Sequence, residues 1–355
     1  MTKRALIVVS GAVIVVLLFI WIARDSRSTS SASAVEADKA SGPAKTQPID
    51  LAKRRRAADK AAGDDEGTAF VTAAWGSGPG ALGRDRPQEA SPSGPMSFVV
   101  DERRRMWVLD QVNGRVIRYS SDGSVEDALA IAHETAQDIA VASDGTVAVL
   151  DRFRSEDVAL HDPSGAFVGS LPLNGPGIET AGHVTGVFID GTDVYAESEH
   201  GPLFKIGSTN GDPADPRTEL PGRPSKDGTF YVKAGIIDAP AGRAYVAVND
   251  RPSEEHRFTR ELVMGSAIQA IVLLDTDLEG TIYFGTELVL GDPATEVMIV
   301  CLDSSNGEVQ GTVTVPANDM PEETFKDFVV DPAGGVLYTL RTEEGSTYKR
   351  VDCSE

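Results

Sequence analysis

The stretch MSFVVDERRRMWVLDQVNGRVIRYSSDG, residues 96–123, contains three short strands separated by two turns. An apolar run at 98–100 is followed by the charged group 101–105, and the apolar run 106–109 then resumes, as in a hairpin. A second turn at Asn113 and Gly114 leads into residues 116–119, where apolar and polar side chains alternate. Three antiparallel strands cannot bury both faces of their sheet alone, so we expect further copies of this unit.

The pattern of strand, turn and strand recurs along the chain. Three copies align without gaps: FVVDERRRMWVLD (98–110), IAVASDGTVAVLD (139–151) and FVVDPAGGVLYTL (328–340). Looser copies begin at residues 186, 236 and 274, so consecutive copies lie 38 to 54 residues apart. Repeats of about 40 to 50 residues with four strands each are typical of propeller blades. The sequence therefore predicts an all-β fold, a six-bladed β-propeller of four-stranded antiparallel blades.

The two ends of the repeat region complement each other. After the last copy, STYKRVDC (346–353) supplies a third strand, and the chain then stops one strand short of a blade. The segment EGTAFVTAAW (66–75) has the Gly-then-apolar pattern of the fourth strands and no hairpin of its own. We predict that an N-terminal strand, 68–74, completes the last blade and closes the ring, which removes exposed strand edges.

Two regions give weaker strand signals. Residues 204–231 are rich in Gly, Pro and charge, which predicts a loop. Residues 251–270 are compatible with a strand or with a short helix, so the sequence leaves the count of strands open there.

The first blade resembles an NHL repeat. In that family a Trp-Gly pair, a Pro before the first strand, an Asp-x-x-Asn-x-Arg turn and an aromatic residue before Asp-Gly recur in each blade. The matching residues are Trp75, Gly76, Pro95, Asp110, Asn113, Arg115, Tyr119, Asp122 and Gly123. The second blade keeps Asp151 but lacks the Asn and the Arg, and the others match only in strand pattern. The resemblance implies a six-bladed propeller, and such propellers include protein-binding and RNA-binding modules and, among distant relatives, metal-dependent lactonases and lyases.

The amino-terminal region predicts a membrane anchor followed by a tether. Residues 5–23 contain no charge and would span roughly 28 Å as a helix, close to the thickness of a bilayer core. We therefore predict an uncleaved transmembrane anchor at 1–23, a flexible linker at 24–66 and the propeller at 67–355. Ala32 and Ala34 leave cleavage open as an alternative. The very short tail before the helix favours a single-pass protein whose bulk is extracytoplasmic, and periplasmic if the source is a bacterium.

Charge and cysteine content narrow the choice of partners and compartment. Residues 67–355 carry 22 Lys and Arg against 46 Asp and Glu, a net charge of −24. A domain with this net negative charge repels phosphate backbones, which argues against nucleic acid and favours a cation or a basic partner.

The only cysteines are Cys301 and Cys353. A disulfide and two buried thiols both remain open at this point.

Candidate binding residues lie in the loops around the mouth of the central channel. The predicted loops between second and third strands are rich in acid, and Asp138 and Asp327 take equivalent positions before inner strands. The candidates are Asp138, Asp327, His133, His183, Asp110 and Asp151. They could attract a cation or a basic segment, whereas Asp in such turns commonly accepts hydrogen bonds from the backbone instead.

Motifs for chemistry are weak. His133 and His183 could begin a three-His zinc site, but the equivalent loops offer no third His. DTDLEG (275–280) resembles a calcium loop, yet Tyr283 and Thr286 stand where ligands belong, so a hairpin turn explains it better.

These observations support a binding protein rather than an assigned enzyme. The first hypothesis is a membrane-tethered propeller that binds a protein or peptide, with no cofactor. The alternative is a divalent-metal-dependent hydrolase or lyase of the lactonase-like propeller type, and a structural stalk in an envelope complex is a third reading. A fold alone does not choose between them.

Overall fold

A computed structural model describes residues 47–52, 67–291 and 295–353. The chain divides into two units, Met1–Lys45 and Thr46–Glu355, and every described residue belongs to the second. The predicted anchor at 1–23 therefore lies outside the described residues, as does most of the predicted linker. Within the described ranges, no helix has the length and apolar character needed to cross a bilayer.

The described residues form six sheets, each a propeller blade, as the repeats predict. Inner strands of neighbouring blades pack side by side around a central axis. From the axis outwards, blade 1 contains Ser97–Val100, Met106–Asp110, Arg115–Tyr119 and Val125–Ala130, and blade 2 contains Asp138–Val141, Val147–Asp151, Asp157–His161 and Phe167–Pro172. Blade 3 contains Val184–Asp190, Asp193–Ser198, Leu203–Ser208 and Glu219–Leu220, and blade 4 contains Arg223–Pro224, Phe230–Asp238, Arg243–Asp250, His256–Val263 and Ile49–Asp50. Blade 5 contains Ala267–Thr276, Ile282–Val289, Thr295–Leu302 and Val309–Pro316, and blade 6 contains Phe328–Val330, Val336–Arg341, Gly345–Val351 and Thr68–Ala74. Two short 3-10 helices occur at Gln111–Asn113 and Ala181–His183.

The core lies between the blades rather than inside any one of them. All five residues of the second strand of blade 1, Met106–Asp110, are buried because both faces of the sheet are covered. Trp107 and Leu109 pack against blade 2, while Met106 and Val108 pack against blade 6. This arrangement explains why second strands read as continuous apolar runs instead of alternating ones.

The first strand after the predicted linker closes the ring. Thr68–Ala74 pairs antiparallel with Gly345–Val351, with Val71 opposite Tyr348. The ring of Tyr348 meets that of Phe98 in blade 1 edge to face, with centroids 4.9 Å apart. The predicted closure by strand 68–74 is confirmed.

A disulfide joins the closing blade to its other neighbour, blade 5. Cys301, in the third strand of blade 5, is bonded to Cys353, which lies two residues beyond the strand Gly345–Val351 of blade 6. The bond links positions 52 residues apart and joins the closing blade to its neighbour. Of the two states that the sequence leaves open, the structure has the disulfide.

Blade 4 differs from the prediction in the order of its strands. The hairpin at 236–248 was expected to contain the inner strand, but it joins the second and third strands. The inner strand is only Arg223–Pro224, inside the region predicted to be a loop. Consequently the acidic loop at 249–256 lies on the face opposite the mouth, where Arg251 pairs with Asp190 in the inner hairpin of blade 3. The region 251–270 forms strands, not a helix.

The predicted linker contributes an outer strand to blade 4. Ile49 and Asp50 pair in parallel with Leu262 and Val263, and the backbone N–H of Leu51 donates to the carbonyl of Val263 at 2.9 Å. The side chain of Leu51 is fully buried in the core between blades 4 and 5. The prediction of a flexible linker over 24–66 is therefore wrong for these residues, because an apolar anchor and a free strand edge are available to them.

Candidate functional site

A cavity of about 760 Å³ occupies the central channel. It is lined by inner-strand residues of blades 1, 2, 3, 5 and 6, by the short inner strand of blade 4, and by loops that enter these strands. We call the end of the channel where the chain enters the inner strands the mouth face, and the other end the opposite face. At the opposite face, Lys226 Nζ donates to the carbonyl oxygen of Thr276 at 2.8 Å and contacts Asp275. Lys226 thus ties blade 4 to blade 5 across the base of the cavity.

Three cations of the cavity wall are paired with carboxylates. Lys226 pairs with Asp275, as described, and Arg223 donates to both carboxylate oxygens of buried Glu197, at 2.8 and 3.0 Å. Lys326 Nζ lies 2.8 Å from the carboxylate of Asp138. Each of these ion pairs connects two different blades, so the pairs also hold the blades together around the channel.

An aromatic ring separates two of these cations. The guanidinium of Arg223 lies 4.8 Å from the centroid of the Phe188 ring, and Lys326 Nζ lies 5.9 Å from it. Cations at these distances are attracted to the negative faces of aromatic rings. Phe188 therefore helps to hold both side chains at the cavity wall.

Of the six predicted site residues, only Asp327 lines the cavity, while Asp138 lies behind its wall and pairs with the lining residue Lys326. Asp138 is fully buried and also accepts a hydrogen bond from the backbone N–H of Val187 at 3.1 Å. Asp327 lines the cavity and accepts hydrogen bonds from Thr324 and from Arg341. Burial raises the pKa of the Asp327 carboxyl above its ordinary value, and the nearby Arg341 opposes this.

The two histidines that could begin a zinc site are paired with different carboxylates. His133 Nε2 lies 3.0 Å from Asp157 Oδ1, and this hydrogen bond raises the pKa of His133. His183 is exposed and lies 3.3 Å from Glu199. In the described parts of the chain, no three His, Cys, Asp or Glu side chains are grouped so as to hold a metal ion.

Asp110 and Asp151 hold loops in place. Asp110 accepts hydrogen bonds from the backbone of Gly83 and from the side chains of Asn113 and Arg115, each at 2.8 Å. Asp151 accepts them from Thr135 and from two backbone N–H groups of its own loop. Neither residue lines the cavity, nor do His133 and His183.

Four of the residues that resemble an NHL repeat, namely Gly76, Asp110, Asn113 and Arg115, form one hydrogen-bonded network. Asn113 donates to the carbonyl of Gly76 at 2.9 Å, and Arg115 donates to the carbonyls of Gly78 and Ala81. Together with Asp110 they tie the segment after Trp75 to blade 1. In this chain the motif therefore stabilises the approach to the first blade.

The calcium-like segment is a hairpin turn, as the sequence favours. Asp277 Oδ1 accepts hydrogen bonds from the backbone of Glu279 and of Thr281, and its Oδ2 accepts one from the hydroxyl of Tyr283. Its carboxylate is therefore occupied by the turn itself.

Exposed apolar side chains recur on the mouth face. The sequence did not predict this set of residues. They occupy the turns between second and third strands, or the strand ends beside those turns, in four blades: Val112, Phe153, Ile236, Ile237, Val289 and Leu290. The loops of the same face also carry exposed carboxylates, of which Glu134, Glu199 and Glu343 are paired with Arg or His side chains and, within the part of the chain that the structure describes, Glu156, Asp238 and Glu344 form no ion pair. A single apolar residue in a polar loop gives no sequence signal, and only the ring brings these loops to one face.

Comparison with known proteins gives similarity of structure only. No protein-family model and no curated protein matches the chain, so membership of the NHL family stays a prediction. Hydrazine synthase from Kuenenia stuttgartiensis is 13% identical, with a TM-score of 0.47 over 76% of this chain and 90% of that one. A streptogramin B lyase is 10% identical (TM-score 0.41; 76% and 97% covered), and the WD40 repeats of RRP9 are 13% identical (TM-score 0.44; 75% and 96%). Likenesses this weak indicate nothing about the function of this chain.

Proposed function

We propose that this protein is a membrane-tethered, extracytoplasmic propeller that binds a protein partner on its mouth face. The partner segment carries basic and apolar side chains together. The observation that carries this proposal is the recurrence of exposed apolar residues at equivalent turns of four blades, on a face that also carries exposed carboxylates. Contiguous apolar groups with a charged rim are typical of protein-binding surfaces.

The chemistry of the surface gives each group a role. Phe153 is 60% exposed and, when covered by a partner, would contribute roughly 1–2 kcal/mol to binding. The carboxylates would attract a basic partner over a distance and make the association weaken as salt rises. Affinity would therefore come from the apolar residues and selectivity from the acids.

The location rests on separate support. The uncharged segment at 5–23 has the length of a membrane span. The Cys301–Cys353 disulfide is the kind of bond that persists in oxidising compartments outside the cytoplasm. Both agree with an exported domain held at a membrane.

Affinity capture from detergent-solubilised membranes tests the binding role. The full chain, the Phe153→Ser variant and the Phe167→Ser variant are used as bait. Phe167 is 63% exposed at the opposite face, so it matches Phe153 in exposure and chemistry. We expect a component that is retained by wild type and by Phe167→Ser and lost with Phe153→Ser; equal retention by all three would refute the mouth face as the binding surface.

Metal analysis of the same preparations tests the hydrolase or lyase alternative, which requires a stoichiometric divalent ion.

A further inference from the structure

The cavity extends away from the axis between blades 3 and 4. In blades 1 and 2 only inner-strand residues line it, but in blade 4 it reaches Lys233 of the second strand and Tyr245 of the third, and in blade 5 it reaches Glu287 and Val297 of the equivalent strands. In blade 4 the inner strand has only two residues, Arg223 and Pro224. A strand this short cannot cover the second strand behind it. We call this extension the side pocket.

The side chains of one strand show which way the pocket faces. Tyr231 contacts Arg251, whose guanidinium lies 4.8 Å from the ring centroid and pairs with Asp190 of blade 3. Because side chains alternate along a strand, Lys233 and Gly235 share this face with Tyr231. The pocket is therefore bounded by blade 3 on one side and by the Lys233 face of blade 4 on the other.

Gly235 makes room for an aromatic wall. It is paired with Tyr245 across the two strands, and a Cβ at position 235 would lie 2.6 Å from the Tyr245 ring. The ring thus lies directly over the glycine, next to Lys233. This provides a flat apolar surface beside a primary amine.

The charge of Lys233 is available to a ligand. The other cations of the cavity wall, Arg223, Lys226 and Lys326, each pair with a carboxylate. Lys233 is exposed, and among the residues that the structure describes it forms no ion pair. Glu219 and His200 also line this part of the cavity, near the mouth. Glu219 would oppose an anion there, while His200 lies 4.0 Å from buried Glu197.

From this geometry we propose that the side pocket binds an aromatic organic anion. The ring of the ligand lies against Tyr245, and its acidic group pairs with the ammonium of Lys233. The whole cavity, at about 760 Å³, falls within the range that binds small organic molecules. This site adjoins Ile236 and Ile237 of the mouth face, but it does not depend on a protein partner there.

Two dyes that differ in one charged group provide the test. 1-Anilinonaphthalene-8-sulfonate carries a sulfonate, whereas N-phenyl-1-naphthylamine has the same rings without it. Fluorescence titration of the full chain in detergent is repeated with Lys233→Gln, Glu219→Gln and the control Lys205→Gln, with micelles alone as the blank. Lys205 pairs with Asp193 at the opposite face and does not line the cavity. A melting curve for each variant verifies that it folds.

We expect one saturable site for the sulfonate dye. Lys233→Gln should weaken its binding about tenfold, as expected for loss of a charge-assisted contact, and leave the neutral dye unchanged. Glu219→Gln should strengthen it, and Lys205→Gln should do nothing. Absence of saturable binding, or loss of both dyes to the same extent in Lys233→Gln, would overturn the proposal.

Discussion

The carboxylate of Asp110 is fully buried and accepts three hydrogen bonds that hold the segment before blade 1. We predict that Asp110→Ala lowers the free energy of unfolding by about 3 kcal/mol, because it leaves the buried backbone N–H of Gly83 and the Nε of Arg115 without their acceptor. Denaturant titration measures this. The control is Asp122→Ala, which removes an exposed turn carboxylate of the same blade and should have a small effect. Equal losses in both variants would contradict the role assigned to Asp110.

The pairing of His133 with Asp157 predicts a dependence of stability on pH. Because the hydrogen bond raises the pKa of His133 in the folded chain, its stabilising effect is complete below the unfolded pKa of about 6.5 and is lost as pH rises through the folded pKa. Asp151 also favours the charged imidazole. Melting temperatures of wild type and His133→Gln, measured from pH 5.5 to pH 8.5, should differ most at the acidic end. A constant difference across this range would show that the histidine does not titrate as argued.

At the scale of elements, residues 49–51 act as an extra strand held by one anchor. Leu51→Ala should lower the free energy of unfolding by about 3 kcal/mol, since it leaves a cavity in the core between blades 4 and 5. It should also make the chain near residue 51 easier to cleave with protease. The matched control is Asp50→Asn, because Asp50 is exposed. Unchanged stability and unchanged cleavage in Leu51→Ala would mean that the strand is not docked in solution.

The elements that sequence reasoning predicted are those with local signals. Five inner strands and the closing strand combine apolar runs with polar or Gly-containing turns, and each lies where the repeats place it. The inner strand Arg223–Pro224 was missed because two residues show no alternation. Ile49–Asp50 was missed because its partner lies more than 200 residues away and pairs in parallel.

The candidate site was less predictable than the fold. Asp138 and Asp327 could be placed near the cavity from their positions before inner strands. Lys326, the partner of Asp138, comes from blade 6 and could not be assigned without the ring, whereas Arg341 pairs with Asp327 inside one hairpin of blade 6. The sequence left open whether Asp110 and Asp151 bind a ligand or the backbone, and only the folded loops show that their carboxylates hold the backbone.

At the scale of the whole molecule, the disulfide strengthens the junction of blades 5 and 6. Reduction of Cys301–Cys353 should lower the free energy of unfolding by roughly 2–4 kcal/mol, because a loop of about fifty residues is no longer closed in the unfolded chain. Denaturant titration with and without reductant measures the loss. Cys353→Ser should show the same loss and no further response to reductant. An effect of reductant on that variant would point to a cause other than this bond.

Ring closure is the claim on which the mouth face, the cavity and the side pocket all depend. Thr72 and Thr347 are paired across the closing strands, with hydroxyl oxygens 3.4 Å apart. The most direct measurement is peptide mapping by mass spectrometry of the double variant Thr72→Cys with Thr347→Cys after mild oxidation. The control is Thr72→Cys with Thr314→Cys, whose second position belongs to the outer strand of blade 5. We predict a disulfide between positions 72 and 347 in nearly all molecules and none in the control; an unlinked pair 72 and 347, or equal linkage in the control, would contradict the closed propeller.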